Sequence, residues 1–417
     1  MIQKLRNLKL QEIQIMLLEF SYVMLFLKSF HFKFFWDIPN TFFLALCLFF
    51  LCGYIISYKK SININKIISI LLLIAIIGMQ VSVNNGNGFG GQIVQLICLI
   101  CLIMLPDKNK VEIFTLIVKC MSIICLISLV GWILVCILNV QLPMQYSSMN
   151  QYVFYDYGIF NIRVEGVNFS RYLGMFIEPG HTGIMLTLCF ICNGGDLNKW
   201  ENKVIVVCTL FTLSLAAYIL LIVYFLIREH SLKKSGKILI WGLLFLFIFV
   251  IVANYTGLGD VFSNYIVTRI ERMITQNITG NRFSTQFNEF YNIHIKGDIY
   301  NYLFGVGSVE YNQFAIMSNF RSAGYKVYIA QNGIINTILV FLFYGLQMRI
   351  DKYSHNRKLY LIWILSFITI AYPTWACFLI FVICGPVNLV NNQNITMGAT
   401  DQVLKQDEEQ VYDYTDV

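Results

Sequence analysis

Apolar residues run through this chain in long blocks, without the alternation of a half-buried strand. A helix that crosses a bilayer's hydrocarbon core needs roughly 20 mainly apolar residues. Blocks of about that length fall at 12–28, 38–57, 66–84, 89–105, 112–139, 173–193, 237–254, 329–348, 357–372 and 374–390. Each is predicted to be a spanning helix. The stretch KVIVVCTLFTLSLAAYILLIVYFLI, 203–227, behaves differently. Lys199 and Lys203 precede it, and Arg228, Lys233, Lys234 and Lys237 follow it. The excess of Lys and Arg in cytoplasmic loops puts both clusters on one side. A single crossing cannot join two cytoplasmic ends. The reading is therefore two short half-helices that enter and return, breaking near Ser214. Non-helical backbone at that depth persists only when buried in protein or lining a cavity. With that pair, Lys4, Arg6, Lys9, Lys59, Lys60, Lys66, Lys108, Lys110, Arg349, Lys352, Arg357 and Lys358 all lie inside. The pattern then gives about 12 segments. NNGNGFGG around residue 88 lies outside, and so do two long connections, about 140–172 and about 255–328. Within the second, 264–294 reads as an amphipathic interfacial helix with Tyr265, Ile266, Ile270 and Met273 on one face. The predicted fold class is an all-α polytopic integral membrane protein, a single domain over 1–397 with both termini cytoplasmic and no cleavable signal peptide.

Composition agrees. Of 417 residues, 57% are hydrophobic and 13% charged, where soluble domains carry about 25% charged. That excludes the soluble α/β, barrel and sandwich classes. Disorder is excluded as well, because a disordered chain lacks this much apolar surface. The net charge of +7 is unevenly placed. Residues 398–417 hold six acids and one lysine, and without them 29 Lys and Arg face 17 Asp and Glu. The tail reads as a disordered cytoplasmic end or an expression-derived remnant. The basic body suits lipid bilayer or an anionic substrate carried on lipid, and nothing points to nucleic acid. Twelve cysteines lie in or beside apolar stretches. Cys98/Cys101 and Cys189/Cys192 have CxxC spacing but no neighbouring His or carboxylate, so they read as small apolar fillers, with no disulfide or metal expected.

Candidate chemistry concentrates in RVEGVNFSRYLGMFIEPGHTG, 163–183. Ionisable groups at membrane depth are costly and mark a substrate path by default. On a continuous helix Arg171, Glu178 and His181 would share one face, with Pro179 disturbing that helix. An Arg171–Glu178 ion pair is the plain structural alternative, but it leaves Arg163 and His181 unexplained. In the second connection Arg269, Arg272, Arg282, Arg321 and Lys326 face five acids. Arginine suits bidentate recognition of phosphate, and Arg282 and Arg321 are the chosen contacts; His294 reads as a loop residue. LFGVGS, 303–308, and YIAQNGIINTILVFLFYGL, 328–346, complete the pattern. Gln331 and Asn332 are expected to open a spanning helix, as sugar contacts or, equally, as a helix cap.

Taken in order, RYLGMFIEPGHTG, LSLAAYILL, LFGVGS and AQNGIINTILVFLFYG resemble the bacterial O-antigen and capsular repeat-unit polymerases (Wzy-type), whose superfamily includes the O-antigen ligases. The resemblance covers about 160–350. It implies a GT-C-like inverting glycosyltransferase of the cytoplasmic membrane, without cofactor or metal, that joins undecaprenyl-diphosphate-linked oligosaccharide repeats on the outer face. A chain-length regulator and a flippase are the partners it would work beside. Arg163 followed by Gly174 fits the family's R-x10-G pattern. The ligases carry His-Asn where this chain has Gln331-Asn332, which favours polymerase over ligase. Developing charge on the leaving diphosphate can be stabilised by fixed arginines. Arg171 and Arg282 lead, with Arg163 and Arg321 in support. Glu178 is the leading general base and His181 the next. A lipid-linked oligosaccharide flippase is the competing reading, opposed by the length of the 255–328 connection. A membrane acyltransferase would want a catalytic His cluster, which the sequence lacks.

Overall fold

The computed structural model describes residues 2–57, 63–149, 152–164, 171–228, 284–318, 320, 324–348, 354–369 and 372–389. Helices dominate: α1 (Ile2–Ser29), α2 (Asn40–Ser57), α3 (Ile64–Val83), α4 (Phe89–Met104), α5 (Asp107–Cys136), α6 (Pro179–Cys192), α7 (Trp200–Phe211) and α8 (Leu215–Arg228) come first. After residue 283 follow α9 (Thr285–Phe290), a π-helical turn (Tyr291–Ile295), α10 (Ile299–Phe304), α11 (Gly307–Met317), α12 (Tyr325–Met348), α13 (Ser354–Thr369) and α14 (Ala376–Leu389). Among the described residues, α3, α5 and α12 are long and apolar enough to cross a membrane. That supports membrane association. The expected span at 237–254, Arg282, Arg321 and most of the amphipathic stretch lie outside the described residues.

The all-α expectation fails in one place. The first long connection forms an antiparallel sheet of β1 (Gln145–Met149), β2 (Tyr152–Asp156) and β3 (Asn161–Arg163), in that order. QYSSM and YVFYD are rich in aromatic and β-branched residues, which suit a pleated surface. The β2–β3 turn stacks Tyr157 on Phe160, centroids 4.6 Å apart. Phe160 then enters the space left by Gly131 of α5, where a Cβ would lie 2.5 Å from its ring. Asn161 N–H donates to Gly174 O at 2.9 Å, tying the sheet to the turn before α6.

The break predicted near Ser214 is present between α7 and α8, with Leu213 at φ 47°. Asn193 at the end of α6 donates to Asn202 at the start of α7. At its other end, Gly183 of α6 abuts Thr212, Ser214 and Ala217, where a Cβ would come within 2.6–3.1 Å. Further along, Phe190 meets Tyr224 and Phe225 at 5.8 and 5.9 Å between ring centroids. So α7 runs antiparallel to α6 and α8 returns beside it. The return needs a close approach that glycine permits.

LFGVGS and AQNG, separate in sequence, cross backbone on backbone. Gly305 (φ 85°, ψ 170°) and Gly333 (φ 77°, ψ 168°) occupy a region essentially closed to other residues. Val306 N–H donates to Ala330 O at 2.9 Å. A Cβ at Gly305 would lie 2.5 Å from Gln331 O, and one at Gly333 would strike Leu303 O. Nearby, Asn84 Oδ1 accepts from Ser308 N–H and Oγ–H. This corrects the expectation that Gln331 and Asn332 open the helix. α12 begins at Tyr325, both residues precede its kink at Gly333, and Asn332 Nδ2 donates to Tyr328 O rather than capping.

A buried polar seam joins these parts. Gln80 Nε2 donates to Tyr328 Oη (3.1 Å) and Thr374 Oγ1 (2.9 Å). Tyr328 Oη donates to Asn336 Oδ1 at 2.6 Å, and Asn336 Nδ2 donates to Ile76 O at 2.8 Å. Gln95 Nε2 and Tyr344 Oη hold Thr374 O and Pro373 O. The turn between α13 and α14 is thereby pinned to α3, α4 and α12.

Gly333→Ala is expected to lower stability by about 1–3 kcal/mol, the usual range for a residue forced into such backbone. Gly345→Ala is the control, because its nearest neighbour would be the Tyr360 ring at 3.6 Å. Thermal unfolding of the detergent-solubilised proteins checks this. Equal losses in both variants would contradict the crossing.

Candidate functional site

The residues between Arg171 and Glu178 do not form the helix that the sequence suggested. They make a non-helical turn, and Pro179 starts α6 instead of disturbing a helix already running. A missing N–H and a fixed φ suit proline to that first position. Glu178 is the N-cap, and its carbonyl accepts from Thr182 N–H (3.0 Å) and Oγ1–H (2.9 Å). Its side chain makes no capping bond. The carboxylate lies at the positive end of the helix dipole, 3.8 Å from His181 Nδ1 across one turn. Both side chains are partly open, at 34% and 25% exposure. Gly180 leaves the space beside the carboxylate clear; a Cβ there would sit 3.5 Å from Glu178 Oε1.

The opposite wall comes from two connections that the sequence reading passed over. Between α1 and α2, His31 adopts φ 57°. Trp36 Nε1–H donates to His31 O at 2.9 Å, and Lys33 N–H donates to Met175 O at 3.0 Å. The Lys33 ammonium pairs with Asp156 and also reaches Gly158 O, fastening this segment to the sheet. Between α13 and α14, Tyr372 and Trp375 stack at 4.5 Å with planes 5° apart. The His31 ring lies 4.9 Å from Trp375. His31 feels the charge of His181, and Tyr372 feels those of Tyr152 and Glu178. Burial, first, and those two neighbours raise the Tyr372 phenol above its ordinary range. Thus the His31 segment is joined to the turn that leads to Glu178, and the Tyr372–Trp375 stack lies against His31. The available signals were the aromatic density of SFHFKFFW and the helix-breaking AYPTW turn.

The arginines divide. Arg163 lies over the Tyr152 ring at 4.0 Å, a cation–π contact that brings it to the same wall. Arg171 is 9% exposed, and its Nε–H donates to Thr212 O at 2.8 Å, where α7 ends. A cation there complements the helix dipole. Gln331 and Asn332 are 6% and 7% exposed under the Gly305 crossing. His294 packs on Phe290 and Phe314 within the π-turn. A further cleft of about 370 Å³ opens between the α3–α4 turn and α11, lined by Asn84, Asn87, Glu310 and Gln313. Among the described residues no three His, Cys, Asp or Glu side chains gather as metal ligands.

Burial, then the His181 and Lys28 charges, push the His31 imidazole down to about 4 from an ordinary 6.5. Between those values the unfolded chain takes up a proton that the folded chain refuses, so stability falls as pH drops through that window. His31→Gln removes this term. Its thermal midpoint is expected to fall less than the wild type's between pH 7 and pH 4.5. Parallel pH curves would contradict it.

No family model matches the sequence, and neither the curated proteins nor the solved structures gave a match, so the functional reading rests on the geometry above and on the short motifs of the sequence.

Proposed function

We propose that this chain is an inverting membrane glycosyltransferase that polymerises oligosaccharide repeat units carried on undecaprenyl diphosphate, at the outer face of a bacterial cytoplasmic membrane. One observation carries the reading. A carboxylate released from capping duty and an imidazole stand together, partly open, at the start of α6. The helices beside them provide apolar surface for a lipid tail. In this reading about 12 segments cross the bilayer, and α7 and α8 form the pair that enters and returns.

The chemistry balances between two lipid-linked substrates, with no further co-reactant. An acceptor sugar hydroxyl attacks the anomeric carbon of the donor from the face opposite the diphosphate. The new C–O bond forms as the bond to the diphosphate oxygen breaks, and that oxygen keeps the electron pair. The hydroxyl proton passes to Glu178, which His181 orients. Guanidinium groups offset the charge that grows on the leaving diphosphate. Arg163 fits that task through its place above Tyr152, and Arg282 and Arg321, which lie outside the described residues, are proposed to assist it. Arg171, committed to Thr212 O, serves by fixing the α7–α8 break against the turn that carries Glu178. Gln331 and Asn332 shape the kink.

The test is purified protein in liposomes with lipid-linked repeat units, read as a polymer ladder. Glu178→Gln keeps size and shape but cannot take a proton, so its rate is expected to fall by about 10²–10⁴-fold, the usual worth of a general base. Its thermal midpoint should stay within a degree or two. Near-wild-type rates would remove Glu178 as the base. Transbilayer movement of the lipid without any ladder from the wild type would favour the flippase reading instead.

A further inference from the structure

We propose that His31, Tyr372 and Trp375 form the subsite for the acceptor, seating the neutral sugar whose hydroxyl attacks. The inference rests on the reading of Glu178 and His181 given above and names the partner that they act upon. A pyranose offers a face of C–H groups and a rim of hydroxyls. Its recognition calls for an aromatic surface next to groups that both donate and accept hydrogen bonds.

The structure brings both together beside the proposed base. Tyr372 and Trp375 are half-buried, stacked nearly parallel, and held by the buried seam through Thr374 and Pro373. A rigid stack loses little entropy when a ring settles on it. Lys33 N–H on Met175 O and Phe30 packed on Phe176 at 4.6 Å join the His31 segment to the turn that carries Glu178, which brings the ring cluster beside that turn. His31 closes the other side, 4.9 Å from Trp375 and near His181. Its left-handed backbone is uncommon for a residue with a side chain and costs free energy. Three hydrogen bonds from neighbouring residues nevertheless hold the segment there: Trp36 to His31 O, Lys33 N–H to Met175 O, and Lys33 to Gly158 O. The imidazole held there is neutral at pH 7, donor at one nitrogen and acceptor at the other. The nearby Lys28 ammonium is occupied by Phe35 O and Trp36 O.

Charge assigns the two ends of the reaction. Arg163 stands over Tyr152 and suits the diphosphate of the donor. The His31–Trp375 side offers rings and a neutral imidazole, which suit an uncharged sugar. The acceptor hydroxyl would then fall between the ring stack and Glu178.

The experiment uses repeat-unit oligosaccharide freed of lipid and diphosphate by mild acid, titrated into full-length protein carrying Glu178→Gln so that nothing turns over. Calorimetry should show saturable binding. Adding Trp375→Ala, or independently His31→Ala, should weaken it at least tenfold, while Trp375→Phe should retain most of it. The Arg163→Ala background should leave it within about twofold. In the active protein, His31→Ala should raise KM for acceptor by at least tenfold, with kcat changed less than threefold. No binding of the free oligosaccharide, or affinity in the Trp375→Ala and His31→Ala proteins unchanged from their Glu178→Gln parent, overturns the subsite. A wild-type polymer ladder alongside either result would leave the glycosyltransferase reading standing. The absence of a ladder with binding intact would instead overturn that reading and keep the sugar site.

Discussion

The half-buried carboxamide of Gln80 governs much of this molecule. It sits one turn from the end of an apolar helix, where an unpaired amide would cost several kcal/mol, and it meets that demand by donating to Tyr328 and Thr374 together. Tyr328 passes the requirement to Asn336, and Asn336 passes it to a carbonyl of α3. Tyr328 and Asn336 are buried, so the bonds Tyr328–Asn336 and Asn336–Ile76 O could be exchanged for water only by opening the bundle. The chain therefore fixes α12 against α3, and the α13–α14 turn against both, through satisfied polar groups rather than apolar contact alone. Apolar contact would be a weak guide to register where neighbouring helices and lipid are equally greasy.

The proposed site follows from that anchoring. Tyr372 and Trp375 belong to the pinned turn, so the aromatic wall is as rigid as the seam beneath it. On the facing side, the Lys33–Asp156 pair and the Phe160 insertion at Gly131 hold the small sheet onto α5 and the α1–α2 connection. The turn from Arg171 to Glu178 runs between these supports. Glu178 is left with its backbone committed to α6 and its carboxylate free of capping, 3.8 Å from His181.

Much of this was legible in the residues. Among the described residues most long apolar blocks meant helices, and the clash of two basic clusters across one apolar stretch meant a break near Ser214. Glu178 and His181 were named from the cost of placing charge among apolar residues. Other features were not legible. Arg171, Glu178 and His181 were grouped on the premise of one continuous helix, whereas a turn brings Glu178 to His181 and sends Arg171 to the end of α7. The sheet at 145–163 was missed because a tyrosine-rich stretch between apolar blocks carries too weak an alternation to stand out. Arg282 and Arg321 lie outside the described residues.

The sequence by itself determined the kind of chain this is: mostly helical, apolar, broken once, with chemistry crowded before Pro179. Those properties are local, set by hydropathy, charge and the backbone limits of proline and glycine. Tertiary structure alone decided that the rings of His31 and Trp375, 344 positions apart along the chain, would meet. It likewise decided that two glycine motifs would cross in contact. A contact between distant segments depends on which buried polar groups can satisfy one another at the same time, and no stretch of sequence carries that information alone.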